Sequence, residues 1–337
     1  MLKTLVVDGN SILQTGFHGV KDFYHNDKHF GAIFYFLNSI KKHLEKDDYD
    51  KVVVFWDGRN NHKSRREIYA HYKTNRKKKL DKEKVDDMFR QKNRISQYLE
   101  EFFIRQAGFE NCEADDCIAY YTQNTTENTT IVTNDKDLLQ LINKKTRVYL
   151  LREEGLITHK DKIKWGKVPL NLPVPNLLLI KILLGDRSDN IKGVLYFGEK
   201  SMLNHFPEIQ EKEITLESIL NKTKKILDSG VKDRGLRNLS EGICGDGRKG
   251  KDFFNINKRL IDLKNVFLTE EAKTEIISLI REPLDPEGRE SINVLEMMKE
   301  DGLFTVLPRY NDEWTNFFKP LIKLRKKEIK YYNKKQI

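Results

Sequence analysis

Cysteine, proline and long apolar runs are all scarce in this chain, and each scarcity excludes something. The three cysteines, Cys112, Cys117 and Cys244, are odd in number and have no zinc-ligand spacing. That excludes a disulfide-stapled secreted scaffold and a thiolate zinc site, and leaves reduced thiols in a cytoplasmic protein as the expectation. No stretch approaches the ~18 consecutive apolar residues of a membrane-spanning helix. The segment Met1 to Asp8 is too short and too soon acidic for a signal peptide. Of only 8 prolines, Pro169, Pro173 and Pro175 fall together and mark an irregular connector. No internal repeat is present. An apolar fraction of 38% nevertheless supports a real core, which excludes wholesale disorder, and 337 residues suffice for two domains or one with extensions.

What the chain has in excess is positive charge, unevenly placed. The formal net charge is +10, and the window from Arg59 to Arg94 holds 14 Lys/Arg against 5 Asp/Glu, a surplus of +9. A basic cytoplasmic protein points to an anionic partner, nucleic acid first among them. Within that window, Arg65, Arg66, Tyr69, Tyr72, Lys73 and Arg76 combine cations that contact phosphates with rings that stack on unpaired bases. Residues 77–84 carry five lysines and are expected to be mobile without nucleic acid.

Short β-branched runs at residues 1–8 and 51–57 read as buried parallel strands, joined through a helix at Gly31 to Glu45 in a right-handed crossover. A second helical period runs from about Lys84 to Gln106, with Met88, Phe89, Ile95, Leu99, Phe102 and Phe103 as its apolar set. A helix from Asp115, a strand at Thr130 to Thr133, a short helix at Lys136 to Ile142, and strands near Arg147 to Leu151 and Gly155 to Thr158 follow. This alternation predicts an α/β fold with a mostly parallel sheet. After residue 167 the chain is mainly helical. It holds an apolar helix from Asn176 to Leu184, a turn from Asp186 to Gly198, a helix from Glu199, and a Gly-rich break at Gly242 to Gly250.

Nine acids stand in five groups, most at the ends of apolar runs: Asp8; Asp57; Glu113, Asp115 and Asp116; Asp135 and Asp137; Asp186 and Asp189. Strands that each end in a carboxylate put those acids at one sheet edge, where open α/β sheets carry their sites. A lone acid there is often only a helix N-cap. Several together repel unless a cation neutralises them, and with no histidine or cysteine spaced to join, a hard divalent ion is favoured over zinc. Glu113 and Asp116 share a helix face, and Asp115 points elsewhere. Two ions about 4 Å apart would suit phosphodiester hydrolysis.

Asp8-Gly9-Asn10, Val54-Phe55-Trp56-Asp57-Gly58, Glu113-Ala114-Asp115-Asp116, Thr133-Asn134-Asp135-Lys136-Asp137-Leu138 and Gly185-Asp186-Arg187-Ser188-Asp189-Asn190 occur in that order. This resembles the 5′-nuclease, or flap endonuclease, family, over roughly residues 1–205. That family includes the 5′–3′ exonuclease domain of bacterial DNA polymerase I and phage ribonuclease H type nucleases. The resemblance implies a PIN-like nuclease core at 1–167, with a helical arch at about 60–100. A helix–three-turn–helix element at about 176–205 and a helical C-terminal extension make up 168–337. It implies two Mg²⁺ ions, with Mn²⁺ as a substitute, held by all nine acids. Asp8, Asp57, Glu113, Asp115 and Asp116 would lie nearest the catalytic ion, and Asp135, Asp137, Asp186 and Asp189 nearest the second. It also implies that Tyr72 stacks on a base, that Lys73 stabilises charge on the scissile phosphate, that Arg76 holds that phosphate, and that Arg65 or Arg66 is the leading arginine of the clamp.

Duplex contact is expected at Lys192, Gly193, Gly198 and Lys200 in the turn before Glu199. There Tyr196 stands where the family usually has glycine, which tells against the family's K⁺ and duplex-phosphate site. The basic tail from Lys323 to Lys335 either touches DNA or a replication partner or is a frayed terminus. The expected function is a metal-dependent 5′–3′ exonuclease and flap endonuclease acting on branched, nicked or RNA-primed duplexes. It would be a free-standing monomer without a polymerase domain, in a bacterial or phage-infected cytoplasm, partnered by DNA, RNA–DNA hybrid and a single-strand-binding protein or clamp. A catalytically silent binding module and a PIN-type ribonuclease are the rivals, weakened respectively by the intact acid set and by the duplex-binding turn.

Overall fold

The computed structural model describes residues 2–76, 81–168, 170–306 and 311–335. Its first half runs β1 (Lys3–Asp8), α1 (Gly9–Gly19), the small hairpin β2 and β3 (Tyr24–His25 and Lys28–His29), α2 (Gly31–Lys46), β4 (Lys51–Phe55), α3 (Lys63–Ile68) and α4 (Lys82–Glu101). It continues with β5 (Arg105–Ala107), α5 (Ala114–Asn124), β6 (Asn128–Thr133), a 3-10 turn at Lys136–Leu141, β7 (Thr146–Leu150) and β8 (Gly155–Ile157). The β-branched runs become the middle of a six-stranded sheet of order β5-β4-β1-β6-β7-β8, parallel except for β8. Strand alternation sorts the core into two layers. Leu5, Val7, Val52 and Val54 pack against α1, α2 and α4, whereas Val6, Val53 and Phe55 face α5 and α6 (Asn176–Leu184). Because β1 lies between β4 and β6, the chain leaves three neighbouring strands at the same edge, just before or at Asp8, Asp57 and Asp135.

Three local expectations need correction. The α4 period does not continue to Gln106. Phe103 takes a left-handed backbone (φ 58), Ile104 N–H closes on the Leu99 carbonyl, and Arg105–Ala107 become the edge strand β5 beside β4. Phe89 is 55% exposed rather than in the core, while Ile95, Leu99, Phe102 and Phe103 are buried. Of residues 77–84, expected to be mobile, 77–80 lie outside the described residues, and Lys82 begins α4 behind the N-cap Asp81. The proline-marked connector is a hairpin of β9 (Lys162–Trp165) and β10 (Leu170–Pro173), Pro169 lying outside the described residues.

The second half continues with α6, the paired residues β11 (Gly185–Asp186) and β12 (Ile191–Lys192), and α7 (Glu199–His205). Then come α8 (Leu216–Asp228), α9 (Arg234–Glu241), α10 (Lys251–Ile261), α11 (Glu270–Arg281), α12 (Ser291–Glu300) and α13 (Asn311–Lys335). It does not build a separate core beyond residue 167. Ala272 and Ile276 of α11 join the α5 layer, and Met298, Phe318, Leu321 and Leu324 of α12 and α13 join the α2 and α4 layer. Arg105 of β5 and Glu328 of α13 form a fully buried ion pair. The basic tail is therefore a docked helix, not a frayed end, with Lys327 hydrogen-bonded to Asp48 and Asp50. All three cysteines are buried and unpaired. Among the described residues, no helix is long and apolar enough to cross a membrane.

Candidate active site

The strand ends deliver Asp8, Asp57, Glu113, Asp115 and Asp135 to one open cleft of about 810 Å³, whose wall also includes Lys73 and Ser188. Each acid is oriented by the turn that carries it. Asp8 caps α1, its Oδ1 accepting from the Ser11 N–H at 3.0 Å, and its Oδ2 accepts from the Thr133 hydroxyl at 2.7 Å. Asp57 accepts from the Ala114 N–H at 2.9 Å, tying β4 to the start of α5. Asp135 caps the 3-10 turn through the Asp137 N–H at 2.8 Å. Capping and site-building are thus the same act here: each cap leaves one carboxylate face toward the cleft.

The electrostatics of this group are only partly compensated. Burial pushes the Asp8 carboxyl up to about 7, against its hydrogen bonds from Thr133 and Ser11, and the charges of Asp57 and Asp135 add to the rise. Burial, Asp135 and Asp8 hold Asp115 well above the carboxylate range. These oxygens crowd together at a cost that a divalent ion would relieve, and an all-carboxylate donor set suits a hard ion.

A second group lies on the far side of Asp135. Carboxylate oxygens of Asp137, Asp186 and Asp189 come within 4.8 Å of one another. This group already has a cation: Lys181, 1% exposed on α6, ion-pairs with Asp137 and, at 2.5 Å, with Asp186. Burial alone would lower the Lys181 ammonium, but Asp137 and Asp186 outweigh it and hold the pKa raised. Burial likewise lifts Asp137 to about 7 despite Lys181, with Asp135, Asp186 and Asp189 contributing. Asp186 is held below its ordinary value, Lys181 outweighing burial. Lys181 was not among the expected site residues. Its signal was a lone cation inside an apolar helix, which must find an anion.

The shared face of Glu113 and Asp116 is real, but it turns toward Arg65. That guanidinium is 3% exposed and grips Asp116 with two bonds of 2.6 and 3.0 Å, and reaches Glu113 at 3.4 Å. Asp116 is fully buried and also accepts from the Phe267 N–H. Arg65 and Asp116 are therefore an internal strut, not a nucleic-acid contact and a metal ligand. Arg66, whose Nε donates to the Tyr72 carbonyl at 3.1 Å, is the exposed arginine of the pair.

Tyr72 is 1% exposed, so its ring cannot stack on a base; its hydroxyl donates toward Glu113 and Asp189. Lys73 has a left-handed backbone (φ 53), and its Nζ donates to both Glu113 oxygens at 3.0 and 3.1 Å. His62 adds a 2.8 Å contact to the same carboxylate. Burial would raise Glu113, but the His62 bond and the charges of Arg65 and Lys73 hold it far below the ordinary range. Glu113 is thus the anchor of the basic segment as much as a wall of the cleft. Arg76 closes the 3-10 turn Thr74–Arg76, just before residues 77–80.

The sequence model of the 5′-3′ exonuclease N-terminal, resolvase-like domain matches residues 3–166. The 5′-3′ exonuclease of Bacillus subtilis is 31% identical over 256 residues, 72% of this chain and 83% of that protein. The chain belongs to the 5′–3′ exonuclease family. DNA polymerase I of Caldicellulosiruptor bescii is 31% identical over 292 residues, 82% of this chain, which spans about a third (32%) of that polymerase's length. A bacteriophage T5 flap endonuclease, solved with DNA and metal ions, superposes with a TM-score of 0.58 at 17% identity over 96% of this chain and 99% of its own. At that identity the likeness speaks for the fold.

In this member of the family the turn between α6 and α7 runs through two close-packed glycines and a left-handed Tyr196. α6 ends at Gly185, whose φ of 79 only glycine adopts freely, and Gly193 passes so close to Leu184 that a Cβ would meet its backbone at 2.2 Å. Tyr196 takes φ 61, the left-handed value a glycine would have supplied, at a cost of ~1 kcal/mol. Lys192, Gly198 and Lys200 are exposed along the turn, and Gly193 is half-buried.

Proposed function

We propose that this chain is a divalent-metal-dependent 5′–3′ exonuclease and structure-specific flap endonuclease, hydrolysing phosphodiesters near the 5′ ends of branched, nicked or RNA-primed duplexes. The observation that carries this reading is the convergence of Asp8, Asp57, Asp115 and Asp135 on one open cleft, where burial and mutual repulsion outweigh the charge of Lys73 at its wall. Mg²⁺ held there would activate water and neutralise charge on the phosphoryl oxygens. The chain's own part is to hold carboxylates and cations in place. Thr133, Ser11 and the Ala114 N–H orient Asp8 and Asp57. Glu113 holds Lys73 at the cleft wall, from which its ammonium can swing to a phosphate oxygen. Arg66 and Arg76 stand on the same segment for the rest of the strand's backbone.

The substrate class follows from a basic segment at the cleft and an exposed cationic turn whose start, at Arg187 to Asn190, is hydrogen-bonded to that segment, which suits a single-stranded 5′ end joined to a duplex. Primer removal in DNA replication, in the cytoplasm and beside a single-strand-binding protein or clamp, is the process this activity would serve. End-labelled flap, nicked and RNA-primed duplexes, incubated with Mg²⁺ and with EDTA, test the proposal directly. Short products only with Mg²⁺ are expected. Absence of metal-dependent cleavage on all three substrates would refute it.

A further inference from the structure

Tyr196 is costly to the fold and, by packing alone, useless to it. It holds a left-handed backbone that glycine would hold freely, and its ring is 59% exposed. Among the described residues its side-chain partner is Arg234, the first residue of α9, whose guanidinium carbon lies 4.0 Å from the ring centroid. Stacking occupies the flat face of a guanidinium and leaves its in-plane N–H donors free, in the fork that matches two phosphate oxygens. Among the described residues, no carboxylate or carbonyl takes those donors. The neighbouring acids are engaged elsewhere. Asp233 caps Leu236 and faces His205 at 3.4 Å, and Glu199 accepts from the Lys167 and Val168 N–H groups.

The pair is also built to stay in register. Asn238 of α9 donates to the Leu195 carbonyl at 2.6 Å, and Leu195 N–H donates to the Ile243 carbonyl at 2.9 Å. Gly235 passes so close to the Tyr196 carbonyl that a Cβ there would lie 2.6 Å from it. Lys192, Lys200, Lys232 and Arg237 on the turn, α7 and α9 are exposed.

Resting on the nucleic-acid reading above, we propose that Tyr196 and Arg234 form a side-chain grip on a duplex phosphate at the α6–α7 turn. Tyr196 holds the guanidinium flat, and Arg234 presents its fork to the phosphate. The chain thereby adds a side-chain contact to a turn that otherwise offers glycine backbone.

Fluorescence anisotropy in EDTA, with a nicked duplex and with a single strand of equal length across a salt series, tests this. Arg234→Ala is expected to weaken duplex binding ~5- to 10-fold and to reduce the log–log salt slope by about one, with single-strand binding unchanged. Tyr196→Gly is expected to reproduce the loss while melting no lower than the parent, and Tyr196→Phe to bind as the parent does. Parental duplex affinity and slope in both Arg234→Ala and Tyr196→Gly would overturn the proposal, as would equal losses on duplex and single strand. The binding readout needs no divalent ion. Duplex binding without Mg²⁺-dependent cleavage therefore sinks the nuclease reading alone, whereas cleavage with unaltered variant binding sinks the grip alone.

Discussion

The two acid groups of this protein differ in one respect that decides their chemistry. Asp8, Asp57, Asp115 and Asp135 gather at an open cleft whose wall includes Lys73, bonded to Glu113, and two of them are forced well above the carboxylate range. Asp137, Asp186 and Asp189 bring carboxylate oxygens within 4.8 Å of one another, around the buried ammonium of Lys181. The first group keeps a repulsion that an added ion would relieve. The second is largely neutralised from within, so an ion there competes with a side chain already in place. Asp135 is felt by both groups and joins them.

The largest expected effect breaks the first group. Asp135→Asn should lower Mg²⁺-dependent cleavage by ~10³-fold or more while branched-DNA affinity stays near parental; normal turnover would remove Asp135 from the site. The second group is tested by Lys181→Met, which leaves Asp137 and Asp186 without the cation they share. A loss of about 3–5 kcal/mol in metal-free stability is expected, with a larger recovery on adding Mg²⁺ than the parent shows. Equal recovery in both proteins would mean that Lys181 and the ion do not share the site.

Lys73→Ala should cut the single-turnover rate on the order of 10²-fold and change substrate affinity little. A fall in affinity alone would make Lys73 a binding residue only.

The smallest effect is in pH. Burial lifts the folded Asp8 and Asp137 carboxyls to about 7 from an ordinary 3.8, so between those values the folded state binds protons that the unfolded chain has released. Stability contributed by these protons is therefore lost as pH rises through 7. In EDTA the Tm should fall by roughly 2–4 °C between mildly acidic and mildly alkaline buffer, and Mg²⁺ should reverse the fall at the alkaline end. A Tm in EDTA that rises over that range would contradict the first half of the comparison.

Much of the layout was legible in residue order. β1 and β4, α2, α5, α6 and the return through β6 to β8 follow from apolar period and punctuation, because burial enforces both. α1 was missed, since its polar Asn10, Ser11 and Gln14 face the cleft and dilute the periodic signal. β5 was missed because three residues at a sheet edge carry too little pattern to interrupt a long helical period. Asp8, Asp57 and Asp135 were legible as neighbours because strand ends in a parallel sheet share an edge, and Asp115 joins them from the first turn of α5. The fates of Arg65, Asp116 and Tyr72 were not, because an arginine, an acid and a tyrosine look alike in sequence whether they face substrate or each other.

By itself, the order of residues determined a parallel α/β core, an acid-lined sheet edge and a basic segment beside it. Each of these depends on period, strand ends and local charge. Only the tertiary structure decided which acids remain available, which are locked against Arg65, and that Lys181 sits inside the second group. It also decided that α11 to α13 fold back onto the first half and that Tyr196 keeps a glycine-like turn while holding Arg234. Those outcomes turn on contacts between residues far apart in the chain, where the competition of burial, charge and space is settled in three dimensions.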